Sequence, residues 1–327
     1  MLPYPPMKAT SGTLPVGTDW SYELKWDGMR AIVEITGGVL RLWSSNGKEA
    51  TVSFPELRAL GAAFGHLDVV LDGEIVALDD RGRPDFGRLQ QRMHITSPVD
   101  AAQRAALVPA ALVLFDVLQV GERSTVELPL SDRRALLASL ADDLPAGVEL
   151  ASSYTDGETL LVAAQRQGLE GLMAKRVGSR YLPGRRTPDW VKVKLQRRQE
   201  MVIGGWADGQ GERSGTLGSL LVGYHVPADA PPDERVLRYG GRVGTGFTGA
   251  VLADLKARFA ALATPACPFT PPPPRDRRGA HWVRPELVAE VAFGNWTDDG
   301  VLRHPVYLGL RSDVDPQNVV REPTTDL

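Results

Sequence analysis

Apolar and polar positions alternate with a period of two from Tyr22 to Trp43. Tyr22 and Leu24 lead into Ala31-Ile32-Val33-Glu34-Ile35, a Gly37-Gly38 turn and Val39-Leu40-Arg41-Leu42-Trp43, which predicts a hairpin. A helix is predicted over residues 54–64, and two short strands bent at Asp72-Gly73 within residues 69–78. Residues 86–94 and 100–106 read as helical. Residues 110–118 form an apolar run broken only by Asp116, the composition of a strand buried on both faces. Leu130-Ser131-Asp132 is placed to cap a helix before Arg133-Arg134-Ala135, and residues 157–168 carry another helix. Together these elements predict an α+β half built on antiparallel strands, with helices outside.

The pattern changes near Gln199. Short strands punctuated by glycine follow at residues 201–206, 218–224, 237–243 and 287–293, interrupted by one amphipathic helix over 248–262. Several short strands and one helix in this length predict a small closed barrel of the oligonucleotide-binding (OB) type, with the proline run at 271–274 as an exposed loop. The chain is therefore divided into residues 1–199 and 200–327.

A length of 327 residues with 43% hydrophobic content agrees with two domains. The net charge of -3 argues against a uniformly basic coat, though not against a local patch. Cys267 is alone, which excludes an intramolecular disulfide and a multi-cysteine zinc site and fits a reducing cytoplasm. No run reaches the length of a membrane span, and Met1-Leu2-Pro3-Tyr4-Pro5-Pro6 lacks a basic segment followed by an apolar core. The expectation is a soluble cytoplasmic protein with no membrane partner.

Of the 37 basic residues, 30 are Arg and 7 are Lys. Each lysine is thus a candidate for work a guanidinium cannot do, such as nucleophilic attack. Lys25, in Glu23-Leu24-Lys25-Trp26-Asp27-Gly28-Met29-Arg30, sits between acids and a glycine turn, where an amine can attack a nucleotide phosphate and hold it as a phosphoramide. Lys8, Lys48 and Lys256 read as solvated. Four further segments carry chemistry: Leu71-Asp72-Gly73-Glu74, Leu114-Phe115-Asp116-Val117, Leu169-Glu170-Gly171-Leu172-Met173-Ala174-Lys175-Arg176 and Asp189-Trp190-Val191-Lys192-Val193-Lys194. The last sets two lysines on one face of a strand, an arrangement suited to facing an anion.

In this order the five segments resemble the nucleotidyltransferase superfamily of ATP-dependent DNA ligases, RNA ligases and mRNA capping enzymes. The chain is similar to short bacterial ATP-dependent DNA ligases of the repair and end-joining type. Leu114 to Leu118 followed by Leu128-Pro129-Leu130-Ser131-Asp132-Arg133-Arg134, and Arg303-His304-Pro305-Val306-Tyr307-Leu308-Gly309-Leu310-Arg311, favour that branch. The resemblance implies an adenylation domain followed by an OB-fold domain. It also implies ATP and Mg2+ as cofactors, with Mn2+ as a substitute, and nicked duplex DNA as the partner of a monomeric enzyme recruited by a repair polymerase or an end-binding protein.

Residue by residue, the resemblance makes Lys25 the nucleophile, its ammonium held below the usual pKa by a positive surround and a metal. Asp27 would act in later steps. Glu23 would read the adenine amino group, Arg30 the ribose, and Phe115 would stack on adenine. Glu74 would hold ribose, metal or both, Glu170 the magnesium, and Lys192 and Lys194 the α-phosphate. Arg311 joins the cofactor-binding set. Between Lys175 and Arg198, nine bases stand against Asp189 alone, a local charge of +8; Arg176, Arg180, Arg185, Arg186, Arg197 and Arg198 are the candidate DNA contacts. The alternatives are an RNA ligase or capping-type nucleotidyltransferase, or a nick-binding protein with impaired self-adenylation.

Two positions depart from the pattern. Ser45 stands where most relatives would carry a phosphate-contacting arginine, with Lys48 or Arg41 as partial substitutes, and Val314 ends a motif that otherwise ends in a base. By the resemblance, both losses would weaken orientation of the pyrophosphate leaving group, so self-adenylation is expected to be slow relative to sealing of a pre-adenylated nick.

Overall fold

The computed structural model describes residues 2–65, 67–141, 143–195, 198–209, 217–228, 230–273 and 279–322. Two compact units result, one up to Leu195 and one continuing to Glu322.

The first unit opens with Lys8–Ser11 (β1), Trp20–Leu24 (β2), Met29–Thr36 (β3), Val39–Ser44 (β4), Ala59–Ala63 (α1), Val69–Ala77 (β5), Phe86–Gln90 (α2) and Pro98–Leu107 (α3). It continues with Ala110–Val120 (β6), Arg123–Ser124 (β7), Leu130–Leu140 (α4), Val148–Leu150 (β8), Gly157–Arg166 (α5), Gly171–Arg176 (β9) and Arg186–Lys194 (β10). One sheet has the order β1-β10-β9-β2; the other runs β4-β3-β5-β6-β7, with β8 also on β6.

Side-chain alternation gives each sheet two different faces. On the first sheet Trp20, Tyr22, Leu172, Ala174 and Val193 pack against Leu160 and Ala164 of α5. The residues between them, Ser21, Glu23, Met173, Lys175, Trp190, Lys192 and Lys194, therefore point the other way. On the second sheet Met29, Ala31, Val33, Leu71 and Ile75 form a core with Phe54, Leu60, Phe64, Phe86 and Leu89. Its opposite face places Ile32, Val70, Val76, Val113 and Phe115 in a third cluster with Met7, Tyr181 and Trp190. That cluster joins the inward faces of the two sheets.

Several expectations are corrected. Residues 69–77 are one strand, not two. Gly73 absorbs the irregularity, since a Cβ there would lie 2.9 Å from the Val113 carbonyl oxygen; the pairing of β5 with β6 shifts register at this point and the strand does not break. Residues 51–58 are short 3-10 turns leading into the five-residue α1. Helix α2 stops at Gln90, well short of His94, whose φ of 64° is left-handed. Helix α4 starts at Leu130 after Pro129 and has no side-chain cap. Two strand pairs, β1 with β10 and β6 with β8, are parallel within an otherwise antiparallel scaffold.

The second unit contains Arg198–Asp208 (β11), Leu217–Val226 (β12), Val236–Val243 (β13), Gly249–Leu262 (α6), Ala280–Ala292 (β14), Asn295–Trp296 (β15), Leu302–Arg303 (β16) and Val306–Leu310 (β17). Its main sheet has the order β13-β12-β11-β14-β17. The Tyr307 N–H donates to the Thr245 carbonyl at 3.0 Å, which draws the last strand to the segment just past β13 and curls the sheet into the OB barrel. Helix α6 is capped by Thr248, whose side chain accepts from the Val251 N–H, and it contributes Leu255 and Phe259 to the barrel core. No helix among the described residues is long and apolar enough to cross a membrane.

Candidate active site

Lys25 follows β2 directly and continues its pairing, its N–H donating to the Gly171 carbonyl at 2.9 Å. The Leu195 N–H donates to the Glu170 carbonyl at 2.9 Å, so the acid is pinned between the ends of β9 and β10. Gly171 makes this approach feasible: any Cβ there would lie 2.0 Å from the Val193 carbonyl oxygen. The two strand ends thereby bring residues 145 positions apart together, with Lys25 Nζ donating to Glu170 Oε2 at 2.5 Å. Burial works to lower the Lys25 pKa, but the Glu170 carboxylate outweighs both burial and the Lys194 charge, and the net shift is upward. The positive surround expected around Lys25 includes Lys194, while the nearest charge is the Glu170 carboxylate. Lys8, Lys48 and Lys256 are exposed.

Two residues before Lys25 and on the same face lies Glu23, buried with 3% exposure. Its Oε2 accepts from Lys175 Nζ at 2.7 Å, and its Oε1 accepts from the Arg134 guanidinium. Lys175 is 1% exposed, its Nζ 4.2 Å from the Phe115 ring centroid and 4.4 Å from that of Trp190. Burial lowers the Lys175 pKa and Glu23 only partly offsets this. The Trp190 indole N–H is buried with no hydrogen-bond partner.

From the facing sheet, Arg30 donates to Asp72 through Nε at 2.8 Å and Nη2 at 2.6 Å. Asp72 is fully buried and also accepts from the Tyr181 hydroxyl at 2.7 Å, which in turn accepts from the Met7 N–H at 2.9 Å. Burial pushes the Arg30 pKa down, yet the Asp72 charge more than compensates and it stands above its ordinary value; burial raises that of Tyr181, and Asp72 adds to the rise. The Arg30 guanidinium also lies 5.1 Å from the Phe115 centroid. Glu74 sits opposite Arg30 in the β3–β5 register and adds its charge to the fields at both Arg30 and Lys25.

Glu23, Lys25, Arg30, Glu74, Phe115, Glu170, Lys192 and Lys194 thus lie on the inward faces of the two sheets or at their ends, with half-buried Asp27 in the turn between β2 and β3. Asp72, Arg134, Lys175, Tyr181 and Trp190 belong to the same network, although the sequence reading assigned none of them an individual role and counted Lys175 only within a functional segment and the basic stretch. The signal available was alternation: Lys175 and Trp190 are directly paired across β9 and β10 and share the face of Lys192 and Lys194. Glu74 and Glu170 offer hard oxygen ligands near Lys25, but no cluster of three or more metal-binding side chains occurs among the described residues. Such a pair fits magnesium, which keeps several waters and draws further ligands from substrate phosphates.

The proposed DNA contacts divide. Arg176 lies 4.6 Å from the Trp20 ring centroid and pairs with Asp19 and, at 3.4 Å, with Asp189; Arg180 pairs with Glu127 at 2.9 Å. Arg185 and Arg186 are exposed, with Arg186 donating to the Ala9 carbonyl. Arg198 begins β11 in the second unit, and Arg197 lies outside the described residues. Also in the second unit, Arg311 donates to Asp313 at 2.8 and 2.9 Å and to Glu290 at 3.1 Å, with Glu200 at 3.8 Å. Burial lowers its pKa, but these acids prevail and it stands well above the ordinary value. Ser45 is in the turn after β4, and Val314 packs against the barrel core.

Residues 6–194 match the family described as ATP dependent DNA ligase domain, and residues 213–314 the ATP dependent DNA ligase C terminal region. The chain is similar to the multifunctional non-homologous end joining protein LigD of Mycobacterium bovis, at 41% identity over 321 residues, 97% of this chain and 40% of that protein. It is also similar to that of Pseudomonas aeruginosa, at 38% identity over 314 residues, 94% of this chain and 35% of that protein. Among solved structures, mycobacterial DNA ligase D complexed with ATP and MES matches at a TM-score of 0.68 and 39% identity, covering 98% of both chains. The chain spans about 40% of the length of the curated mycobacterial relatives it matches.

Proposed function

This chain belongs to the ATP-dependent DNA ligase family, and on that premise we propose that it seals nicks in duplex DNA through a lysyl-AMP intermediate on Lys25. The observation that carries the reading is the 2.5 Å contact of Lys25 Nζ with Glu170, at the mouth of a face that also bears Glu23, Lys192 and Lys194. Glu170 aims the amine and is placed to take its proton before attack. The lysine nitrogen then bonds to the α-phosphorus of ATP while the bond to pyrophosphate breaks. Lys192 and Lys194 offset charge developing on the phosphate. AMP passes next to the 5′-phosphate at a nick, and attack by the adjacent 3′-hydroxyl forms the phosphodiester and releases AMP. Asp27, in the turn beside the lysine, is assigned to these later steps.

Glu23 accepts from the adenine amine, Arg30 holds the ribose, and Phe115 supplies an aromatic surface for the base. Glu74 and Glu170 would hold magnesium, which when bound neutralises phosphate charge. Arg185 and Arg186, exposed among the basic residues before β10, are the best placed for DNA phosphates, so binding weakens steeply with salt. Arg176 and Arg180 add to this charge after exchanging their present acidic partners, and Arg198, at the start of β11, adds to it as well. Arg311, held by three acids, organises the barrel sooner than it contacts nucleotide. We read the protein as acting in end-joining repair, as its relatives are non-homologous end joining proteins, with a repair polymerase or an end-binding protein as the proposed partner.

The test is incubation with labelled ATP and magnesium followed by sealing of a nicked duplex. A covalent AMP adduct that Lys25→Ala abolishes together with sealing is the expected outcome. An adduct elsewhere, or sealing by the alanine variant, refutes the assignment. Preference for an all-RNA nick would favour the RNA-ligase reading.

A further inference from the structure

We infer that Arg134, on helix α4, is a positioning residue that selects the purine by fixing the rotation of the Glu23 carboxylate. The inference rests on the proposed reading of Glu23 as acceptor for the adenine amine. Glu23 is almost fully buried, and its two oxygens are divided between two cations, Lys175 on Oε2 at 2.7 Å and Arg134 on Oε1. Lys175 is itself immobilised between the Phe115 and Trp190 rings and gives the carboxylate one fixed anchor. One anchor leaves the group free to turn about its terminal bond; a second removes that freedom.

Arg134 can serve as the second anchor because its own frame is rigid. Its Nη2 donates to the Ala151 carbonyl at 2.6 Å, and the helix carrying it is locked by the preceding residue. Arg133 and Asp116 are both fully buried and joined by bonds of 2.7 and 2.8 Å, while Arg133 also donates to the carbonyls of Leu128 and Ser179. The two neighbouring arginines thus divide the work: Arg133 fastens the helix, and Arg134, 20% exposed, reaches Glu23.

A carboxylate has about four lone-pair directions, so two cations leave two acceptor directions whose orientation is now set. An exocyclic amine donates into such a direction. A purine with a carbonyl at that place presents an acceptor to an acceptor and is rejected. Loss of Arg134 should therefore cost the amine contact specifically, leaving phosphate chemistry at Lys25 in place.

The experiment measures the rate of covalent nucleotide adduct formation by the full chain with subsaturating ATP and with purine riboside triphosphate, which lacks the 6-amine. The unaltered protein is expected to prefer ATP by about ten- to a hundredfold, the worth of one hydrogen bond to a charged group. Arg134→Ala should bring the ATP rate down toward that of the analogue and change the analogue rate by less than about threefold, as for a coupled pair. Arg134→Gln, which keeps a donor for Ala151 without the charge, should do the same and supplies the comparison if the alanine variant does not fold. Equal slowing of both nucleotides with the preference kept, or failure of both variants to fold, would overturn the inference and leave Arg134 a support of the fold. Absence of any preference in the unaltered protein is a separate result, which overturns the reading of Glu23 itself and the inference with it.

Discussion

Gly171→Ala adds one methyl group and alters no chemical group of the site, yet it should disable the enzyme. The new Cβ would lie 2.0 Å from the Val193 carbonyl oxygen and 3.0 Å from the Lys194 Cα, so β9 and β10 must separate by about 1 Å or more to restore ordinary contact. The residue also has a φ of 151°, where a side chain adds about 1–3 kcal/mol of strain. We expect a stability loss of about 2–4 kcal/mol. Three functional groups move with that backbone: Lys194 is its register partner, Glu170 precedes it, and its carbonyl holds the Lys25 N–H. A displacement near 1 Å costs roughly a hundredfold in rate. Single-turnover formation of the AMP adduct, at a urea concentration well below the unfolding transition, reads this loss directly. Gly178→Ala is the control, because nothing lies within 4 Å of its Cβ position and its backbone is not left-handed. Adduct formation within about threefold of wild type by Gly171→Ala, or an equal loss in the control, would refute the reasoning.

Asp72→Asn leaves Arg30 without its bidentate acceptor and Tyr181 with a weaker one; we expect about 2–4 kcal/mol of destabilisation and a raised KM for ATP, measured by urea unfolding and adduct kinetics. Unchanged KM would show that Arg30 needs no such alignment. His225 is buried in the barrel unit, with Nδ1 3.3 Å from the Val319 carbonyl, and burial holds its pKa below 6.5. The unfolded chain then takes the proton first, so stability is full above pH 6.5 and falls toward the lower folded-state pKa, by up to about 1.4 kcal/mol per pH unit. Urea midpoints of the barrel unit between pH 7.5 and 5.5 should show this slope flattened in His225→Gln, and an identical slope would exclude His225 as its source. If self-adenylation is limited at Ser45 and Val314, Ser45→Arg should speed adduct formation without changing sealing of a pre-adenylated nick. Val314→Lys should bring less, since Val314 packs on the barrel core and the change costs about 1 kcal/mol there. If neither substitution speeds the adduct, the reading of slow self-adenylation fails.

Alternation and turn residues made the first hairpin legible, and the apolar run at residues 110–118 was long enough to identify β6 without tertiary information. The bend expected at Asp72-Gly73 was misplaced because a glycine in a strand signals either a break or a close approach of the neighbouring strand, and only the neighbour decides which. Lys25 stood out because arginine so dominates the basic residues that a lysine between acids and a glycine turn is conspicuous. Its closest partner was not legible for the opposite reason: Glu170 is 145 positions away, and no local pattern announces it as the nearest group.

By itself, then, the sequence determined which residues can share a face, because the pleat of a strand fixes the side of every second position. It also determined the kinds of chemistry present, a nucleophilic amine, hard carboxylates and paired lysines. Only the tertiary structure decided which charges meet: Lys25 with Glu170, Arg30 with Asp72, and Glu23 with both Lys175 and Arg134. The physical reason is range. Alternation is a property of a few consecutive residues, whereas the energy of a buried ion pair depends on a distance and a desolvation that exist only after the two sheets have closed over their shared apolar cluster.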